Sequence, residues 1–387
     1  MATLLEEPPL YEAGAVLQLR IVKRNARFIP MSGIISVQVD SLFSQTMSPV
    51  MRISFDNRNA ILKVYDRRVG SQFRRIHDVI PYDEQAKTAF HDFIRSGAVG
   101  PFLKELDDEE ADPDLYFDPR DARDVREEEN GIAKFEAALW RNANKNFKTE
   151  VEAYERLQDV QGIFVPRLYA VVRLHLPLDD NAAMADYLGV YGIILQSISG
   201  PTLEDLLETP YAPSTQEHLT SIVQYTVDAT NEINKRGIVL EDSAPRNVVL
   251  EKSLQWRPFI IDLAQCLFKD TVFKFQAAQA KAEGDESQDL DEEFNELARM
   301  MDNAGNVGRP IQRQIRKRFG FDLNIMYPDV DELLRTGAPM KYKGYGYDTF
   351  FDPPCDARLE DGKSALCQAG KFLYSHQVVL DRGEPPL

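Results

Sequence analysis

Two short apolar runs, Val248-Val249-Leu250 and Phe259-Ile260-Ile261, are joined by a polar connection short enough to make them the two strands of one antiparallel hairpin. That pairing constrains more than local structure. The residue entering the first strand and the residue leaving the second fall at the same end, which brings Asn247 and Asp262 together. A carboxylate and an amide oxygen converging there are hard ligands suited to Mg²⁺, which usually keeps waters and adds substrate phosphates to one or two protein carboxylates. Asp242 stands five residues before Asn247 in the preceding loop, free to orient a hydroxyl or accept its proton. Taken singly, these are ordinary turn and strand-end residues. Their joint placement is the informative part.

Upstream, residues 34–65 read as three short strands, IISVQVD, VMRIS and NAILKVY, separated by polar turns, and so as an antiparallel meander. In the last of them alternation sets Leu62 and Val64 on one face and Lys63 on the other with Ile61 and Tyr65. An ammonium in so apolar a strand wants an anion, although read alone it fits equally a lysine snorkelling from a sheet edge. Residues 66–146 read as an insertion outside the core. Its stretch 104–129 holds 13 acidic and 4 basic residues, a net of 4 − 13 = −9, and reads as solvated and partly disordered. Helical periodicity returns from Phe147 to Gln158, with Val151, Tyr154 and Leu157 on one face and Glu150, Glu152 and Glu155 around it. RLYAVVRLHL and YGIILQSI then read as strands, the second ending at the turn Ser199-Gly200-Pro201. A helix is expected from Ser214, capped with Glu217, as far as Gly237. The acidic stretch 282–293 reads as a loop or solvated helix end, and the one basic cluster, 308–320, as a solvated helix face.

The chain has 387 residues, 43% hydrophobic and 28% charged, which is globular material for one large domain or two ordinary ones. Its net charge of −17 argues against nucleic acid and anionic membrane as partners. No long uncharged apolar stretch occurs, and the first residues are acidic where a signal peptide is basic, so an intracellular protein, cytoplasmic or nuclear, is expected. Cys266, Cys355 and Cys367 are too scattered for a disulfide framework or a zinc site.

With the residues in this order, the chain resembles the protein-kinase-like fold family of protein kinases and small-molecule phosphotransferases, especially its divergent fungal members. Asp242-Ser243-Ala244-Pro245-Arg246-Asn247 matches the catalytic-loop spacing D-x-x-x-x-N, and Asp262 takes the place of the metal-binding Asp of D-F-G. Ala60-Ile61-Leu62-Lys63 looks like the V-A-I-K strand. Glu150, four residues before Tyr154 and seven before Leu157, looks like the helix glutamate that pairs with its lysine. GIILQSISGPTLEDLL looks like the inter-lobe linker, with Leu195 as gatekeeper and Gln196 to Ile198 offering backbone groups to adenine.

The resemblance covers roughly residues 35 to 270. It implies an α+β, two-lobed protein-kinase-like fold with a small antiparallel β-sheet N-lobe and a mainly α-helical C-lobe. The expected organisation is an N-terminal extension over 1–33, an N-lobe over 34–198 carrying the insertion, and a C-lobe over 199–387. It further implies ATP and Mg²⁺ as cofactors and a hydroxyl-bearing acceptor, protein or small molecule. Lys63, positioned by Glu150, would then hold the nucleotide phosphates with Gln196 and Ile198 at the base, Asn247 and Asp262 would hold the metal, and Asp242 would orient the acceptor. The phosphate loop departs from the family: FSQTMSPV, residues 43–50, has no glycine, leaving Ser44, Thr46 and Ser48 as candidate hydroxyl donors. Leu240-Glu241 replace the usual His-Arg or His-Gly, so the histidine that braces the catalytic loop is missing. These departures support a second reading, a pseudokinase acting as a nucleotide-binding or protein-interaction module.

Overall fold

A computed structural model describes residues 11–76, 78–112, 120–175, 182–210, 212–273 and 290–327. Cys355, Cys367, residues 282–289 and the chain beyond 327 lie outside them. The three expected strands form, as β2 (Ile34–Ser44), β3 (Val50–Phe55) and β4 (Arg58–Tyr65). They pair in sequence order as the expected antiparallel meander, which here is part of a larger sheet. β1 (Val16–Arg24), from the segment read as an extension, pairs antiparallel with β2 on one side and with β5 (Leu168–Leu174) on the other. With β6 (Tyr191–Gln196) between β4 and β5, the sheet closes into a six-stranded barrel in the order β1-β2-β3-β4-β6-β5. Alternation is the cause. Leu17, Leu19 and Ile21 of β1 point inward with Val37, Val39, Ile53 and Leu62, while Gln18 and Arg20 point out, and closure leaves neither sheet edge open. Each fully buried Leu or Ile there contributes about 1.5–3 kcal/mol over its exposed state.

The insertion departs from its expectation as well. It contains α1 (Glu84–Arg95) and α2 (Val99–Glu110), and the helix expected from Phe147 begins earlier, as α3 (Gly131–Arg156). Asp83 caps α1, its side chain accepting from the Ala86 N–H at 2.8 Å. Apolar positions spaced four apart within each helix, Phe90 and Ile94 in α1 and Phe102 and Leu106 in α2, pack with Val125 against Phe135 and Leu139 of α3 in a separate core. Many of the acids are paired: Arg120 bridges Glu105, Glu109 and Glu128, and Arg141 bridges Asp107 and Glu110. Buried Glu136 of α3 receives Arg67 and Arg74 from the chain leaving β4, which ties α3 to the barrel. Phe90 is fully buried, with the Arg67 guanidinium 4.3 Å from its ring centre. Phe90→Ala should therefore lower unfolding stability by about 3–5 kcal/mol in urea titration. A solvated loop would lose almost nothing.

The second large core unites the outer face of the barrel with the C-terminal helices. After α4 (Ala182–Leu188) and the linker comes α5 (Gln216–Asn234), whose N-cap is Thr215, one residue on from the Ser214 expected. Gly237, at φ 73°, ends the turn that follows. β7 (Ile238–Leu240) pairs with β10 (Cys266–Phe268), and between them β8 (Val248–Glu251) and β9 (Arg257–Ile260) form the expected hairpin, Val248 opposite Ile260. α6 (Lys269–Val272), α7 (Leu290–Met301) and α8 (Asn303–Phe319) complete the described fold. α8 buries Ile311 and Ile315 against α5 and exposes Arg313, Arg316 and Lys317, the basic face read from the sequence. No helix among the described residues is long and apolar enough to cross a membrane.

Candidate active site

Lys63 leaves the outer face of the barrel, as strand alternation requires, and meets α3 and the end of the hairpin. Its Nζ lies 2.6 Å from Glu150 Oε2 and 2.5 Å from Asp262 Oδ1. Three residues far apart in sequence thus share one ammonium. Glu150, Tyr154 and Leu157 are fully buried on one stripe. Glu152 and Glu155 lie outside and pair with Arg156 and Lys23. Burial by itself would lower the Lys63 pKa, but Asp262 and Glu150 outweigh it and hold the ammonium above its ordinary value. Burial likewise works to raise the Asp262 carboxyl, and Lys63 with the Ala264 N–H holds it below the usual carboxylate value. Asp262 is also one of the few non-glycine residues with a left-handed backbone, φ 62°, a conformation that only surrounding contacts can maintain.

The hairpin connects this cluster to the catalytic-loop candidate. The Ile261 N–H donates to the Asn247 carbonyl at 2.9 Å, so Asn247 and Asp262 stand at one end, as the pairing demands. Asn247 Nδ2 donates to the Asp242 carbonyl at 2.8 Å and to Asp242 Oδ2 at 3.0 Å, which engages its amine and leaves its amide oxygen as the acceptor. Arg246 pairs with the other Asp242 oxygen. That ion pair is exposed on the Arg246 side and is worth only about 0–1 kcal/mol, so an incoming hydroxyl can displace it. An amide oxygen and a carboxylate fit Mg²⁺ chemically, as an ion that takes few protein ligands and completes its shell with water and phosphate. No group of three or more His, Cys, Asp or Glu suited to a metal occurs among the described residues.

Two expected features sit differently. The Gln196 N–H donates to the Arg167 carbonyl at 2.9 Å and its side-chain oxygen accepts from the Arg167 N–H at 3.2 Å, so Gln196 secures the start of β5. Neither Ser197 nor the nearly buried Ile198 forms a backbone hydrogen bond within the described chain. Beyond it the linker is clamped to the hairpin: the Ser199 N–H donates to Glu251 at 2.9 Å, and a side chain at Gly200 would come within 1.8 Å of the Leu250 carbonyl. The glycine-free turn between β2 and β3 is also held. Its Gln45 and Thr46 carbonyls accept from the Ser71 and Gln72 N–H groups, Ser44 and Thr46 bond each other at 3.1 Å, and Ser48 is buried.

One residue of the site escapes sequence reading. Asn303, buried at the start of α8, accepts the Leu240 N–H at 2.8 Å, donates to the Leu240 carbonyl at 2.7 Å and accepts from Asn234 at 2.8 Å. Its own carbonyl takes the Ser243 hydroxyl at 2.9 Å. It thereby braces both ends of the segment that presents Asp242, which has no histidine to do so. No local pattern marks it, because its partners lie about sixty residues away (63 for Leu240).

Neither a protein-family model nor a curated protein sequence matches this chain. Among solved structures it is similar to one described as the structure of vaccinia related kinase 3, at 10% identity and a TM-score of 0.29, covering 70% of this chain and 55% of that one. It is also similar to PpkA-294 in its apo form, at 10% identity and a TM-score of 0.33, covering 64% of this chain and 63% of that one. The chain thus spans less than two thirds of the length of either.

Proposed function

We propose that this chain is a kinase-like phosphotransferase that binds Mg²⁺-ATP between the barrel and the hairpin and transfers a phosphoryl group to a hydroxyl acceptor. One observation carries the reading: a buried lysine from a barrel strand is shared by a buried helix glutamate and by the aspartate that leaves the hairpin. An ammonium so placed serves phosphate oxygens once Asp262 is drawn to other work, and Glu150 keeps it aimed. Mg²⁺, held by Asp262 and the Asn247 amide oxygen, would supply neutralisation of phosphate charge. Asp242 orients the acceptor hydroxyl and accepts its proton, and Ile198 offers its backbone to the adenine. Positioning and charge neutralisation suffice for this chemistry, with no covalent nucleophile.

The second reading, a pseudokinase that binds nucleotide weakly or not at all and works as an interaction module, is favoured by the glycine-free turn fixed against Ser71 and Gln72. The two readings separate on Asp242→Ala. The phosphotransferase and a nucleotide-binding pseudokinase both expect Mg²⁺-ATP to raise the melting temperature of wild type and variant. The phosphotransferase reading expects ATP turnover in the wild type and a loss of at least about 10²-fold in the variant. Equal turnover in the two proteins would exclude Asp242 from the chemistry.

A further inference from the structure

Lys63 is divided between two carboxylates and fully serves neither. Glu150 is wholly buried, and a buried carboxylate needs more than a share of one ammonium. Two neutral donors supply the rest. The Tyr65 hydroxyl donates to Glu150 Oε2, the oxygen that also faces Lys63, and the Leu263 N–H reaches Oε1 at a long 3.4 Å. Tyr65 follows Lys63 by two positions on the same strand, so alternation alone puts both side chains on the face toward α3. Its ring packs edge-on against Phe147 of α3 at 5.5 Å, with Ala143 and Ala264 beside it. Nearness of a tyrosine is not enough to make the bond: Tyr154, one turn along α3 from Glu150 and fully buried, has a hydroxyl with no hydrogen-bond partner.

We propose that Tyr65 is a positioning residue whose hydroxyl keeps Glu150 compensated and in register with Lys63 when the ammonium turns toward nucleotide phosphates. The inference rests on the phosphotransfer reading and deepens it. As Lys63 engages phosphate oxygens its hold on Glu150 weakens, and a second donor on the same oxygen stops the buried carboxylate from drawing the lysine back or swinging α3 away. The lysine and glutamate then need a third member, which the strand itself provides.

Tyr65→Phe removes the hydroxyl and keeps the ring. The ring also lines a small pocket of about 30 Å³ with Trp140, Phe147 and Tyr191. The Kd and KM for Mg²⁺-ATP should rise roughly tenfold, the size expected of a hydrogen bond to a charged group, with kcat changed by less than about threefold. In a Glu150→Leu background, where there is no acceptor to hold, the same substitution should change Kd by less than about twofold. An unchanged Kd in Tyr65→Phe, or a tenfold rise in both backgrounds, would overturn the proposal, since the second result means that the residue acts through packing. Hydrogen exchange without nucleotide separates this failure from failure of the phosphotransfer reading. Amides around Glu150 should exchange about tenfold faster in Tyr65→Phe, and unchanged exchange refutes the brace whatever the catalytic result. Faster exchange in a protein whose wild type ignores ATP would support the brace and remove the phosphotransfer reading.

Discussion

Lys63→Met is expected to lower unfolding stability at neutral pH by about 3–5 kcal/mol and to abolish nucleotide-dependent turnover. Methionine fills the volume of the lysine stem but leaves Glu150, wholly buried, and Asp262, with a side chain 32% exposed, facing each other without a cation. Removing one partner of a buried ion pair is costly because the surviving charge stays desolvated, whatever the intact pair was worth. Urea titration of the two proteins at pH 7 gives the difference directly. The deficit should narrow as the pH falls into the carboxylate range, since protonation removes the uncompensated charge. A variant as stable as wild type would mean that the Lys63 cluster is solvated, contrary to its burial.

Asp262→Asn is the second large effect, expected at about 10²–10³-fold in turnover together with loss of Mg²⁺ dependence in nucleotide binding. Asparagine tolerates the left-handed backbone at φ 62° nearly as well as aspartate, so the variant isolates the charge from the conformation. Its pH signature follows from the directions of the pKa shifts. In the wild type the Asp262 carboxyl lies below its ordinary value of 3.8, so its stabilisation is complete above that value and is lost as the pH falls through the lower folded one. The Lys63 ammonium lies above its ordinary value of 10.5, so its contribution is complete below that value and is lost as the pH rises through the higher folded one. Between those limits the cluster contributes a plateau. Asp262→Asn should lower the plateau and flatten the acid limb below about pH 4, while leaving an alkaline limb from the Lys63–Glu150 pair. Stability measured by urea titration from pH 2 to 11 checks the shape, and an acid limb as steep as that of the wild type would assign acid sensitivity to other carboxylates.

The separations among these residues explain why part of the site is readable along the chain. The hairpin follows from two apolar runs, and its antiparallel pairing alone puts Asn247 and Asp262 at one end. The face of Lys63 follows from alternation, whereas helical periodicity puts Glu150, Glu152 and Glu155 alike around the apolar stripe, and only the resemblance singles out Glu150. Other elements carried the same signals without being recognised. β1 alternates as cleanly as β2, yet nothing in its own residues states that it will pair with β5, about 150 residues later (Leu19 opposite Leu174), and close the barrel. In α2 the apolar positions are diluted by acids, so charge dominated the reading of a helix whose buried side packs on α3.

Local periodicity and antiparallel pairing are properties of short stretches of chain, so strand faces and the hairpin end were written in the amino-acid order alone. Barrel closure, the capture of Gln196 by Arg167, the Asn303 brace and the Tyr65 hydroxyl on Glu150 were decided by folding. Each satisfies a buried polar group or an open sheet edge with a partner from another element. That requirement arises only when water is excluded, and many residues could meet it in principle.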